Sequence, residues 1–444
     1  MSYYMRILVA IAVLMVLIGL VIWHGPQQRD VVAVARAPEG EAVPVGTPIR
    51  ITFSRPVDRL SVENTFRLDP PTSGSFFWEG QQMTFRPTAP LQSDTTYQIT
   101  IPAGMRDQRG TANTQDIGWT FRTRLPNVLV LATAEDGSSV LWLAPIADPT
   151  LAREIYRERQ GILDIAVAPG GLQALITVVR EPQRTALLLL DLTDGTTRPL
   201  VDDPAASAGG AAWSPTSDVI VYERRSIGTD TVGQPKIWLA QPDGTSLGPI
   251  ANEPQISYAP VWSPDGQRLA FIDGGAQAIG VYNLATNQLS RFPDSSGEAP
   301  VWLPDGMALA YTSIDLATND GPATRPLIRR ASLSDGTTAP LTPAGTSHPA
   351  WSPDGSQLVY VQRAADAPAS TLWFANADGS NAQPLTSPGD YQDDQPLWSP
   401  DSSQLVFIRT ASDGTRTAHL LALDIAQPRP ILPDLFAEQI HWVP

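Results

Sequence analysis

Apolar and polar residues alternate along most of this chain in runs of four to seven positions, the pattern of half-buried strands. Ile49-Arg50-Ile51-Thr52-Phe53, Tyr97-Gln98-Ile99-Thr100-Ile101, Val128 to Thr133 and Gln357 to Val361 are such runs, and Asp-Gly and Pro-Asp pairs punctuate them. One stretch obeys another rule. Ile7 to Trp23 carries no charged side chain and only one glycine. As a helix it would be roughly 26 Å long, enough for one membrane crossing, with Tyr3, Tyr4 and Trp23 at the interfaces. Arg6, the one charged side chain before it, favours an inside amino terminus and export of the rest of the chain. Residues 1–30 are therefore expected to be an anchor and linker. A cleaved leader ending at Ala35-Arg36-Ala37 is the rival, and it would remove the strand expected at Val31 to Val34.

The strands fall into a repeat. Pro349-Ala350-Trp351-Ser352-Pro353-Asp354-Gly355 has variants at Ala212 to Pro215, Val261 to Gly266, Val301 to Gly306 and Leu397 to Asp401. Val167-Ala168-Pro169-Gly170-Gly171 is a degenerate copy, and His441-Trp442-Val443-Pro444 begins another. The marker prolines are spaced by 46, 49, 40, 49, 47 and 44 residues, the period of a propeller or an array. Each period holds four short apolar strands, as at 349–352, 357–361, 372–375 and 383–385, which is one blade. In the turn, proline presets one dihedral, Asp bonds its own backbone and Gly accepts positive φ, so these aspartates read as turn formers.

The unit beginning at Asn127 lacks such an inner strand, and the chain's last residues, 438–444, can supply it. Counting that closure, the expectation is all-β: a seven-bladed β-propeller over 127–444, preceded by a β-sandwich over 31–124 and one N-terminal transmembrane helix.

The Trp-Ser-Pro-Asp-Gly-x-x-Leu-Val-Tyr repeat resembles the TolB-type propeller repeat, which also occurs in prolyl-oligopeptidase-like enzymes. Val43-Pro44-Val45, Ile51 to Asp58, Leu91 to Tyr97 and Gly118 to Phe121 resemble the bacterial Ig-like domain of surface-layer proteins, where it implies a spacer or adhesive module. Seven blades and an Ig-like amino-terminal domain depart from TolB itself, which the resemblance would give six blades and a different first domain.

Composition narrows the chemistry. Of the formal charge of -15, residues 127–444 carry 18 Lys plus Arg against 35 Asp plus Glu, a poor surface for nucleic acid phosphates. The absence of cysteine excludes disulfides, thiol catalysis and lipid attachment through sulfur. No Gly-x-Ser-x-Gly elbow or α/β domain is present for a serine hydrolase. Four histidines, His24, His348, His419 and His441, make a His-rich metal site improbable. His348 and His441 lie at inner strands, and with Tyr258 they are the residues an enzyme acting at the channel, a polysaccharide lyase or hydrolase, would use.

The loops entering the inner strands share one face and gather carboxylates: Asp202, Asp203, Glu253, Asp294, Glu298, Asp390, Asp393, Asp394, Asp434 and Glu438, with Tyr258, His348 and Tyr391 among them. They are expected to face solvent, so that replacing Asp393 and Asp394 would weaken binding and spare the melting temperature. They are either a solvated rim or a site for a cationic partner, a divalent cation among the alternatives, and no cofactor is otherwise implied. The reading is a membrane-anchored, extracytoplasmic binding or scaffold protein for a protein, peptide or glycan of the cell envelope. The alternatives are that enzyme and a purely structural envelope protein.

Overall fold

The computed structural model describes residues 15, 30–87, 90–216, 219–228, 231–251, 254–293, 297–314, 325–363, 369–425 and 427–444. The expected membrane helix, apart from Met15, lies outside these. Among the described residues no helix is long and apolar enough to cross a membrane. The chain divides into two compact units.

The first is an Ig-like domain of two four-stranded sheets. One orders Ala33–Ala37, Ile49–Phe53, Gln82–Pro87 and Gly74–Glu79; the other orders Gly40–Val43, Ile117–Thr123, Thr96–Ile101 and Arg67–Asp69. Period-two patterning is visible in Ile117–Thr123, where every odd position is buried and every even one exposed. Within the second sheet the buried Tyr97 stacks on its cross-strand partner Phe121 at 5.5 Å, and the buried Ile49, Ile51, Met83 and Ile99 fill the core. One helix, Arg59–Thr65, was not expected. It starts where Asp58 accepts a hydrogen bond from the Ser61 N–H, an N-cap, and buries only Val62, too little periodicity to announce itself.

The second unit is propeller-like. Among the described residues of this unit five four-stranded antiparallel sheets, numbered 1 to 5, are followed by one eight-stranded sheet whose two antiparallel halves are numbered 6 and 7. Their first strands are Phe436–Val443, Ile162–Val167, Ala206–Trp213, Ser257–Trp262, Val301–Trp302, Thr346–Trp351 and Tyr391–Trp398. Sheet 1 takes its first strand from the end of the chain: Phe436–Val443 pairs antiparallel with Asn127–Thr133. A single parallel pairing, Ser370 with Gln392, joins sheets 6 and 7.

Apolar clusters link each sheet to the next. Leu129 and Leu141 pack with Ile176 and Leu188 between sheets 1 and 2, and Leu175 and Leu187 with Ile220 and Tyr222 between 2 and 3. Comparable clusters join 3 to 4, 4 to 5, 5 to 6 and 6 to 7. Val406 and Ile408 of sheet 7 meet Val128, Val130 and Trp442 of sheet 1, so the series closes on itself. Burying one Leu or Phe side chain contributes about 1.5–3 kcal/mol.

The tryptophan of the repeat has a specific task. Its indole N–H donates to the backbone carbonyl one residue before the equivalent position of the preceding sheet: Trp213 to Ala166 at 2.9 Å, Trp262 to Ala212 at 3.3 Å, Trp302 to Val261 at 3.2 Å, Trp398 to Ala350 at 2.9 Å and Trp442 to Leu397 at 3.1 Å. Trp351 departs from the series and donates to Ala377 of its own sheet. Val167 stands in the tryptophan position of sheet 2 and has no side-chain N–H to give. The Ser-Pro-Asp-Gly turn works as its chemistry requires: Ser352 Oγ donates to Asp354 Oδ1, which also accepts from the Ser356 N–H, while Ser352 Oγ accepts from the Gln357 N–H.

Candidate functional site

Six of the seven first strands shift register against the strand they pair with, and four of the six hold a left-handed residue within the shift. Pairing shifts register between Gly209 and Ala212, Tyr258 and Val261, Ser347 and Ala350, and Asp394 and Leu397. Inside each bulge one residue is left-handed: Gly210 (φ 55), Ala259 (φ 52), His348 (φ 50) and Gln395 (φ 54). In three of the four the next residue is proline, Pro260, Pro349 and Pro396, which has no N–H to leave unpaired in a broken ladder. A non-glycine residue held in this region costs about 1–3 kcal/mol.

Three of the loop carboxylates, Asp202, Asp203 and Asp393, are paired with arginine. Asp202 accepts from Arg184 at 2.7 Å and Arg180 at 3.3 Å; Arg180 also reaches Glu158 at 3.7 Å. Asp203 pairs with Arg224 at 2.6 Å. Glu438 accepts from the Thr133 hydroxyl. Asp390, Asp434 and Glu298 are exposed. Asp294 and Glu253 lie outside the described residues.

At sheets 6 and 7 the structure brings four expected residues together. His348 Nδ1 lies 3.2 Å from Asp394, and Asp393, beside Asp394, takes two hydrogen bonds from Arg409 at 2.6 and 2.8 Å. The Arg409 guanidinium in turn lies 3.7 Å over the Tyr391 ring. The expectation of a solvent-facing carboxylate fails at Asp393, which is fully buried. It sits directly opposite Arg409 in the ladder, and that pairing outweighs its hydration.

Tyr258, on sheet 4, contacts neither His348 nor His441 among the described residues. His441 is on sheet 1, where its Nε2 lies 3.4 Å from Gln439 Oε1. Burial pushes its imidazole down to about 4, so it is neutral at pH 7.

A further concavity lies elsewhere, between sheets 2 and 3. A cavity of about 540 Å³ is lined by Leu163, Asp164, Thr177, Val179, Ser207, Gly209, Gly210, Glu223 and Arg225, among others. The glycine pair shapes its wall. A Cβ on Gly210 would lie 2.5 Å from a Glu223 carboxylate oxygen, and one on Gly209 3.0 Å from the Thr177 methyl.

Glu223 accepts the Ala259 N–H at 2.8 Å, tying sheet 3 to the bulge of sheet 4, and has Arg225 at 3.9 Å. Burial raises its carboxyl against both of those partners. Burial, together with the nearby Glu223 charge, pushes Asp164 up to about 6. A cleft with two perturbed carboxylates is where ligand chemistry is expected.

Neither carboxylate was singled out from the sequence. Asp164 belongs to the degenerate copy that lacks its tryptophan, and Glu223 to a second strand. The available signal was the Gly209-Gly210 pair standing where other copies carry Tyr258-Ala259, Ser347-His348 and Asp394-Gln395. Among the described residues no group of three or more His, Asp or Glu is placed to hold a metal ion.

Fold and patterning define an all-β protein that joins an Ig-like domain to a propeller-like one. The chain belongs to the TolB beta propeller domain family, whose sequence profile matches residues 194–429, and the bacterial Ig-like domain profile matches residues 27–123. Tol-Pal system protein TolB of Nitratidesulfovibrio vulgaris is 38% identical over 64 residues, 14% of each chain.

Among solved structures, a Mycobacterium tuberculosis puromycin-hydrolyzing peptidase shares the fold with TM-score 0.53 at 14% identity, covering 89% of this chain and 57% of the peptidase. TolB from Acinetobacter baumannii aligns with TM-score 0.45 at 14% identity, over 94% and 99% of the two chains.

Proposed function

We infer that this is an extracytoplasmic binding protein of the cell envelope, held by a helix at residues 7–23, in which an Ig-like spacer presents a seven-bladed propeller to a polypeptide partner. The carrying observation is the cavity between sheets 2 and 3, where the strands hold charged and apolar groups open to a ligand. The arginine-paired carboxylates beside it, Asp202 with Arg184 and Asp203 with Arg224, support a preformed recognition surface rather than a free anionic field. Membership of the TolB beta propeller family and the partial match to a Tol-Pal system protein support an envelope role. The peptidase neighbour supplies the alternative, an enzyme, for which the Asp164 and Glu223 pair is the acid–base candidate.

A photo-crosslinking residue at Leu163, on the cavity wall, and another at Met307, in a turn of sheet 5, test this in cells. An adduct with a polypeptide at Leu163 and none at Met307 is expected. Equal adducts at both, or adducts only at Met307, would overturn the reading. Protease added to spheroplasts should digest the Ig-like domain; protection would reverse the topology.

A further inference from the structure

The geometry points to a lysine-ammonium site in the cavity between sheets 2 and 3, formed by Asp164, Glu223 and the hydroxyl of Thr177. It deepens the recognition reading above and rests on it. Thr177 is 4% exposed and lines the cavity, and its hydroxyl has no hydrogen-bond partner among the described residues. The methyl side of Thr177 faces Gly209.

Asp164, on the neighbouring strand, likewise has no arginine or lysine upon it. Its carboxyl is destabilised by burial and by Glu223. Arg184, which also borders the cavity, is taken up by Asp202 at 2.7 Å and Glu181 at 3.6 Å. Arg225 stands 3.9 Å from Glu223, at the edge of ion-pair contact. These are the charged groups that face the cavity, and they leave its two carboxylates short of positive charge.

The oxygen set selects among cations. An ammonium has three N–H donors on one tetrahedral nitrogen, matching two carboxylates and one hydroxyl. A guanidinium presents a planar fork of five donors that favours bidentate pairing with one carboxylate. Calcium takes six to eight oxygens, more than this wall offers. Leu163 and Val179 flank the acidic groups and supply apolar surface for the methylene stem that a lysine buries beneath its charge. Leu163 is 55% exposed, a large apolar side chain left at the rim where such a stem would lie.

The test is calorimetry on the detergent-solubilised full chain with the blocked peptide acetyl-Gly-Lys-Gly-amide, its acetyl-lysine analogue and its arginine analogue. Saturable binding of the lysine peptide is expected, with at least about tenfold loss for both analogues and for Asp164→Asn. Thr177→Val, which keeps the shape and removes the hydroxyl, should weaken binding about threefold or more at unchanged melting temperature. Binding should also weaken as pH falls through about 6, where Asp164 becomes neutral. No saturable heat at millimolar peptide, or equal affinity for the acetyl-lysine peptide, would overturn the assignment. An adduct at Leu163 combined with peptide-blind calorimetry would leave the recognition reading standing and remove only the lysine site.

Discussion

Replacing Trp442 by alanine tests how sheet 1 is closed. The indole is 9% exposed, lies in the cluster shared by sheets 7 and 1, and donates to the Leu397 carbonyl at 3.1 Å. Deleting a buried Trp side chain costs about 3–5 kcal/mol. At about 2 °C per kcal/mol for a large domain, the melting temperature should fall by roughly 6–10 °C. Trp442→Phe separates the parts: most apolar contact remains and the donor is lost, for about 0.5–1.5 kcal/mol. Differential scanning calorimetry on the full chain reads both variants. A loss below about 1 kcal/mol for Trp442→Ala would refute the reasoning, since the residue would then hold no seam together.

Deleting Phe436–Val443 should abolish cooperative unfolding of the propeller-like unit, because it strips the ladder from Asn127–Thr133; an unchanged calorimetric transition would count against closure. Asp393→Asn should cost about 3–5 kcal/mol by chemical denaturation, since it leaves the Arg409 guanidinium without its carboxylate. His441 is held neutral with a folded value near 4, below an unfolded value near 6.5, so its contribution to stability is full above pH 6.5 and is lost as pH falls toward 4. His441→Gln should flatten that part of the stability–pH curve. Asp164 acts with the opposite sign: its value near 6 lies above the ordinary 3.8, so ionising it costs stability as pH rises from about 4 to 6, and Asp164→Asn should remove that loss.

The repeat made the propeller legible because Ser-Pro-Asp-Gly is a local device: its hydrogen bonds close within five residues, so turn chemistry and strand spacing carry the signal. The tryptophans were legible as buried residues but not as clasps, since the acceptor carbonyl lies 41 to 50 residues away on another sheet. The bulges were invisible for a related reason. Strands expected to begin at Pro349 begin at Thr346, because the left-handed His348 interrupts the alternation by which a strand is recognised.

Loop carboxylates read as solvent-facing ignored the arginines opposite them: Asp393 and Arg409 are 16 residues apart in sequence and face each other in the ladder. The cavity depends on Gly209, Gly210, Thr177, Asp164 and Glu223 meeting across two sheets, a coincidence of packing that no single stretch of sequence spells out.

The central claim, recognition at the cavity between sheets 2 and 3, is tested most directly by hydrogen exchange on the full chain with and without a crosslink-identified partner. Protection is expected in Ile162–Val167, Ala206–Trp213 and Ile220–Ser226, with the turns at 263–268 and 352–357 unchanged. Protection confined to those turns or to the Ig-like domain would contradict it.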